Sequence, residues 1–160
     1  DYLYETEAYH HAYAWNKIYR RQILCPPPLF PDGINLGEDL LALPKWLSRA
    51  RRIVTSDGGF YFYTSNTNSI CHTAGAVEYA GHLKALINLM QWIPEDRRNN
   101  AKYARIFVHA INVRKDLLNE EPDAKVEIPS NLIPAFQTLF GFTWKARIKL
   151  IMYRLGIREL

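Results

Sequence analysis

Residues 73–92 carry the longest helical pattern in the chain, and that pattern constrains the fold more than any other stretch. Ala76, Ala80, Leu83, Ile87 and Met90 recur at alternating four- and three-residue intervals, the spacing of one buried helical face. Gly75, Ala76, Ala80 and Gly81 keep the first half of this helix thin, which permits close approach of another backbone. Pro94 ends it, because proline lacks the amide that a helix interior needs. A second long helix is expected from Asn100, whose side chain suits an N-cap, to about Asn119. Tyr103, Phe107, Ala110 and Leu117 or Leu118 are its inward residues.

The remaining elements are shorter. Residues 7–22 read as a helix with Ala8, Ala12, Trp15 and Tyr19 along one face and Ile18 beside them. Residues 38–50 read as helical but interrupted at Pro44, which is expected to begin a second helix. Between them lies a proline-rich stretch, residues 25–35, with Pro26, Pro27 and Pro28 consecutive. It predicts a stiff extended connector, or an arm that reaches a neighbouring subunit. The one clear β signal is Arg51 to Thr55, then Asp57-Gly58, then Phe60 to Thr64, which predicts a hairpin. Residues 125–128 are expected to form a short edge strand and residues 130–140 a short helix. Thr143 caps the last helix, and Gly156 stands where a left-handed C-terminal residue belongs. The expected fold is therefore α+β and predominantly helical: five to six helices with one β-hairpin around residues 51–64, in a single domain over residues 1–160.

Composition narrows the class. Hydrophobic residues make up 48% of the 160 and charged residues 22%, the balance of a folded chain rather than a disordered one. Ten Tyr, seven Phe and four Trp are a heavy aromatic load, and amphipathic rings favour half-buried surfaces and interfaces. Two cysteines, Cys25 and Cys71, are too few for a disulfide framework and are expected as free thiols in the cytoplasm or another reducing compartment. No apolar run reaches the roughly 18 residues that span a bilayer, so no membrane partner is expected. The chain begins at Asp1 rather than Met, and it is expected to be processed or to be a piece of something longer.

Charge is unevenly placed. Lys145, Arg147, Lys149, Arg154 and Arg158 face the single acid Glu159 in the last twenty residues, a net +4 that equals the charge of the whole chain. At about 100° per residue, Trp144, Ile148, Ile151, Met152 and Leu155 share one face of that helix. Ala146, Leu150 and Tyr153 share the opposite face, and the cations run along both edges. A surface membrane helix would have one apolar and one broad basic face. A groove-reading helix would present a polar, basic face. Here three readings stay open: a core helix with solvated edges, an oligomer interface, or a strip that meets phosphate without reading bases.

Chemistry is thinly represented. His10 and His11 are adjacent on a helix and point about 100° apart, which is poor geometry for one metal. Cys71-His72 is a nucleophile-and-base pair only if the fold brings such groups face to face. His82 and His109 lack a second Cys or His at zinc-ligand spacing, so no metal and no cofactor are expected. Gly58-Gly59 belongs to a turn rather than a phosphate loop.

The leading expectation is a non-enzymatic structural or assembly subunit that self-associates into a homo-oligomer. It would meet RNA or another nucleic acid through Lys145, Arg147, Lys149, Arg154 and Arg158, as a virus coat protein or a ribonucleoprotein subunit does. Trp144, Ile148, Tyr153, Pro27 and Phe30 are the expected interface residues. The alternatives are an enzyme or enzyme fragment that uses Cys71 and His72, with His82 and His109, and a soluble module that binds an acidic protein.

Overall fold

The computed structural model describes residues 12–26, 29–56, 58–59, 61–64, 66–135 and 142–157. Among them are six α-helices: α1 (Arg21–Leu24), α2 (Glu38–Ser48), α3 (Ile70–Thr73), α4 (Ala76–Trp92), α5 (Ala101–Glu120) and α6 (Trp144–Arg154). Single 3-10 turns occupy Ala14–Asn16, Glu95–Arg97 and Ser130–Leu132.

The two strongest sequence patterns become the two helices at the centre. The short connection between α4 and α5 makes them an antiparallel pair, and α2 packs on α4 while α6 packs on α5. Leu83, Ala85, Leu86, Leu89 and Met90 of α4 are buried, whereas Ala76, Ala80 and Ile87 are only partly so. The buried face is thus rotated from the expected stripe towards Leu86 and Leu89. On α5 the inward residues are as expected: Tyr103, Phe107, Ala110 and Leu117 are all buried.

The ends of α5 explain its position. The Asn100 side chain accepts the Tyr103 amide at 3.1 Å, satisfying one of the four amides a helix start leaves open. The Tyr103 hydroxyl donates to the buried Leu132 carbonyl at 2.8 Å and ties the 3-10 turn to the core. Arg98 closes the α4–α5 connection by donating to the carbonyls of Ile93 (2.8 Å) and Gln91 (3.1 Å). Arg114 donates to the Val126 carbonyl at 3.1 Å and holds the segment after α5, where Ile128 is buried.

The thin half of α4 has a close neighbour in the segment before α2. A Cβ on Gly81 would lie 3.4 Å from Ile34 Cγ2 and 3.8 Å from the Leu36 carbonyl oxygen. Gly37, at φ +83°, precedes α2 in the left-handed region, and a Cβ there would stand 3.1 Å from the His82 ring. The chain therefore turns into α2 directly against α4.

Further expectations are corrected. The β-hairpin at 51–64 is absent, and with it the α+β class: the described residues form helices and hold no strand, and those of this segment lie outside any helix and are exposed. A hairpin signature specifies a turn, but a ribbon is stable only with a face to bury. Here Val54 and Phe62 are 72% and 86% exposed, and the α4–α5 core is already covered by α2 and α6. The aromatic residues of this segment find another partner: Tyr61 and Tyr63 both meet the Trp15 ring.

The helix expected at 7–22 is replaced, within its described part, by a 3-10 turn and the single-turn α1, with Ile18 fully exposed. Trp15 stacks on aromatic neighbours instead of facing a helical core. Pro44 does not start a new helix but sits buried inside α2, as do Leu40, Ala42, Leu43 and Trp46. Residues 125–128 form no strand, and the helix expected over 130–140 is, within its described part, only the 3-10 turn Ser130–Leu132, with 136–140 outside the described residues.

The proline-rich connector is pinned rather than free where it is described. Arg49 donates to the carbonyls of Ile23 (3.2 Å) and Cys25 (3.0 Å), and Phe30 packs edge-on against Trp46. The last helix ends as expected. The Gly156 amide donates to the Tyr153 carbonyl and the Ile157 amide to the Met152 carbonyl, with Gly156 at φ +78°. No helix among the described residues is long and apolar enough to cross a membrane.

Candidate functional site

Two surfaces gather the residues singled out in the sequence. The first is α6. Leu150 and Tyr153 are buried, Tyr153 edge-on against Phe107, so this face belongs to the core. Tyr153 is therefore no part of the open face. Trp144, Ile148 and Leu155 are 67%, 44% and 71% exposed, while Ile151 and Met152 on the same face are half-buried.

The cations of α6 are not equivalent. Lys145 is exposed and lies over the Trp144 ring at 5.7 Å from its centroid. Arg154 is exposed. Arg147 is exposed too, but it donates to the Phe142 carbonyl at 3.0 Å at the start of the helix. Lys149 is half-buried and donates to the Asn112 side chain, which ties it to α5. Arg158 and Pro27 lie outside the described residues, as do His10 and His11.

The second surface is a cavity of about 830 Å³ where the start of α2 meets the middle of α4 and α5. Leu40, Leu86 and Ile106 form its apolar floor. Tyr13, Trp15 and Tyr63 stand along it, with Trp15 stacked on Tyr13 at 5.2 Å and on Tyr61 at 4.5 Å. Its polar lining is Glu38 and Asp39 from α2, His82 from α4, His109 from α5, and Asn35, Ser69 and Cys71 from the loops and α3.

Electrostatics inside the cavity follow from partial desolvation. His82 and His109 meet edge to face at 5.2 Å across the α4–α5 seam. Burial, and secondarily the second imidazole, pushes the His82 pKa down to about 4, so His82 is neutral near pH 7. Burial raises the pKa of Glu38, and the adjacent Asp39 charge adds to the rise against a backbone hydrogen bond that lowers it. Lys17, outside the cavity lining, has its pKa lowered by burial, with the charge of Asp39 opposing the shift.

Three of the four residues considered for enzymatic chemistry thus line one cavity: Cys71, His82 and His109. His72 does not line it. Cys71 is exposed, and no group of three His, Cys, Asp or Glu suited to a metal occurs among the described residues.

Sequence reasoning missed the acidic side of this cavity. The available signal was Gly37-Glu38-Asp39, a glycine followed by two acids at a helix start, which reads locally as dipole compensation. It also missed the cation clamps, since Arg49, Arg98 and Arg114 spend their donors on backbone carbonyls. Comparison with protein-family models, curated proteins and solved structures finds no match to this chain.

Proposed function

We propose that this protein is a structural subunit that assembles with copies of itself and holds nucleic acid through contacts to phosphate that read no sequence. One observation carries the reading: α6 buries Leu150 and Tyr153 in its own core and leaves Trp144, Ile148 and Leu155 open on the other side. Large apolar side chains clustered on a surface favour a partner, because removing them from water is worth about 25 cal/mol per Å².

Charge indicates which partner surface suits α6. Two α6 faces set against each other would oppose Lys145, Arg147 and Arg154 with their own copies. The aromatic segment of the next copy, with Tyr61, Phe62 and Tyr63 exposed, offers rings to the same cations and apolar surface to Trp144. Such a contact is heterologous and propagates into rings or larger arrays. Each added copy also adds +4, so a growing assembly favours a polyanion, and Lys145 and Arg154 lie exposed at the edges of the contact face.

Light-scattering mass with and without a single-stranded RNA tests this. The expected result is a mass that rises above the 18.6 kDa chain with concentration and rises further, salt-sensitively, with RNA. A chain that stays at 18.6 kDa in both conditions refutes the proposal. Assembly with no response to RNA removes the nucleic-acid half, and binding to an acidic protein without self-association replaces the proposal with an interaction module.

A further inference from the structure

We propose that the cavity between α2, α4 and α5 binds a small organic cation, a protonated or quaternary amine carried on a flat apolar body. This goes beyond the assembly reading, because it concerns a free ligand and a chain that can be tested as a monomer.

Size, lining and charge converge on that class. The cavity, at about 830 Å³, lies within the roughly 300–1,000 Å³ of small-molecule sites. Leu40, Leu86 and Ile106 supply a floor for an apolar body. Among the described residues no lysine or arginine lines it, although the chain as a whole is basic. The carboxyl groups in the lining are Glu38 and Asp39, side by side on the first turn of α2. An anion entering here would meet these two acids and no lysine or arginine among the lining residues. A cation would relieve the repulsion between the acids.

The aromatic rim is a second feature, independent of the acids. Tyr13, Trp15 and Tyr63 line the cavity, and the negative face of an aromatic ring attracts ammonium groups, most strongly once they shed water. The rim is held in place by its own contacts: Trp15 stacks on Tyr13 with planes 17° apart and meets Tyr63 at 5.7 Å.

Lys17 is the cation closest in character to a resident counter-ion, and its charge interacts with Asp39. Its ammonium group, however, donates to the Tyr13 carbonyl at 2.9 Å and the Asn16 side chain at 2.6 Å, and it does not line the cavity. Asp39 also accepts the Leu40 amide at 2.9 Å, a bond that occupies one carboxylate oxygen and leaves its charge in place. The two imidazoles complete the site as polar walls.

Titration calorimetry on the full chain, dilute and at low ionic strength, tests the proposal with benzyltrimethylammonium as probe and phenylacetate as the anion of matched size. Saturable binding of the cation and none of the anion is expected. Glu38→Gln and Trp15→Ala should each weaken the cation about tenfold. Both side chains are at least partly exposed, so neither change opens the core. In a Cys25→Ser chain, which leaves Cys71 as the one thiol for the reagent, a bulky maleimide on exposed Cys71, which lines the cavity, should also block the probe. Absence of saturable binding, equal binding of phenylacetate, or cation binding indifferent to the folded variants and to the Cys71 adduct would each overturn the proposal.

Discussion

His82 shows how the fold changes a residue that the sequence leaves ordinary. In the unfolded chain its imidazole has the usual pKa near 6.5, and in the fold it drops to about 4. A depressed histidine contributes stability while it is neutral in both states, above about pH 6.5. Between pH 6.5 and about 4 the unfolded chain binds the proton and the folded chain does not, so stability falls on acidification. The loss is at most on the order of 3 kcal/mol, at 1.36 kcal/mol per pKa unit. Denaturant unfolding at a series of pH values should show this decline, and His82→Gln should flatten it; an unchanged decline in that variant would assign the acid sensitivity elsewhere. Tyr103 is a second case. Its hydroxyl serves a buried carbonyl, so Tyr103→Phe should cost about 1–3 kcal/mol in the same measurement, because the Leu132 carbonyl is left without its donor. Neither role is visible in the sequence, where Tyr103 is one more inward aromatic and His82 one of five histidines.

At the scale of elements, α4, α5 and α6 were legible because each carries its own apolar period and local stop or cap residues, Pro94 for α4 and the caps of α5 and α6. Asn100, Thr143 and Gly156 act where the sequence places them. The hairpin and the first helix were misread for the opposite reason. Their local signals are real, but their stability depends on surfaces that other elements had already covered or that aromatic stacking used instead. The two faces of α6 give a direct contrast. Leu150→Ala should cost about 2–5 kcal/mol, the usual cost of emptying a core position. Trp144→Ala on the open face should stay within about 0.5 kcal/mol in dilute protein, yet weaken self-association. Thermal unfolding separates the two, and a large destabilisation by Trp144→Ala would place that face inside the folded unit.

For the whole molecule, the proposed association with nucleic acid is electrostatic, and the logarithm of affinity should fall linearly with the logarithm of salt concentration. Neutralising Lys145 and Arg154 to Gln should lower the slope by roughly one for each phosphate no longer neutralised, with no change in sequence preference. Filter-binding titrations across salt concentrations measure this, and an unaltered slope would remove α6 from the nucleic-acid surface. The sequence by itself determined the helical character, the two central helices, their caps and the concentration of charge in the last twenty residues. All of these are encoded within a few turns of the chain. Tertiary structure decided which face of α6 is core, and that the aromatic segment after Arg52 pairs with Trp15 rather than with itself. It also decided that Glu38, Asp39, His82 and His109 share one cavity. These groups are up to about seventy residues apart and meet only because Gly37 and Gly81 let the chain pass closely over α4. Such distant encounters leave no period or motif in the sequence that local reasoning can detect.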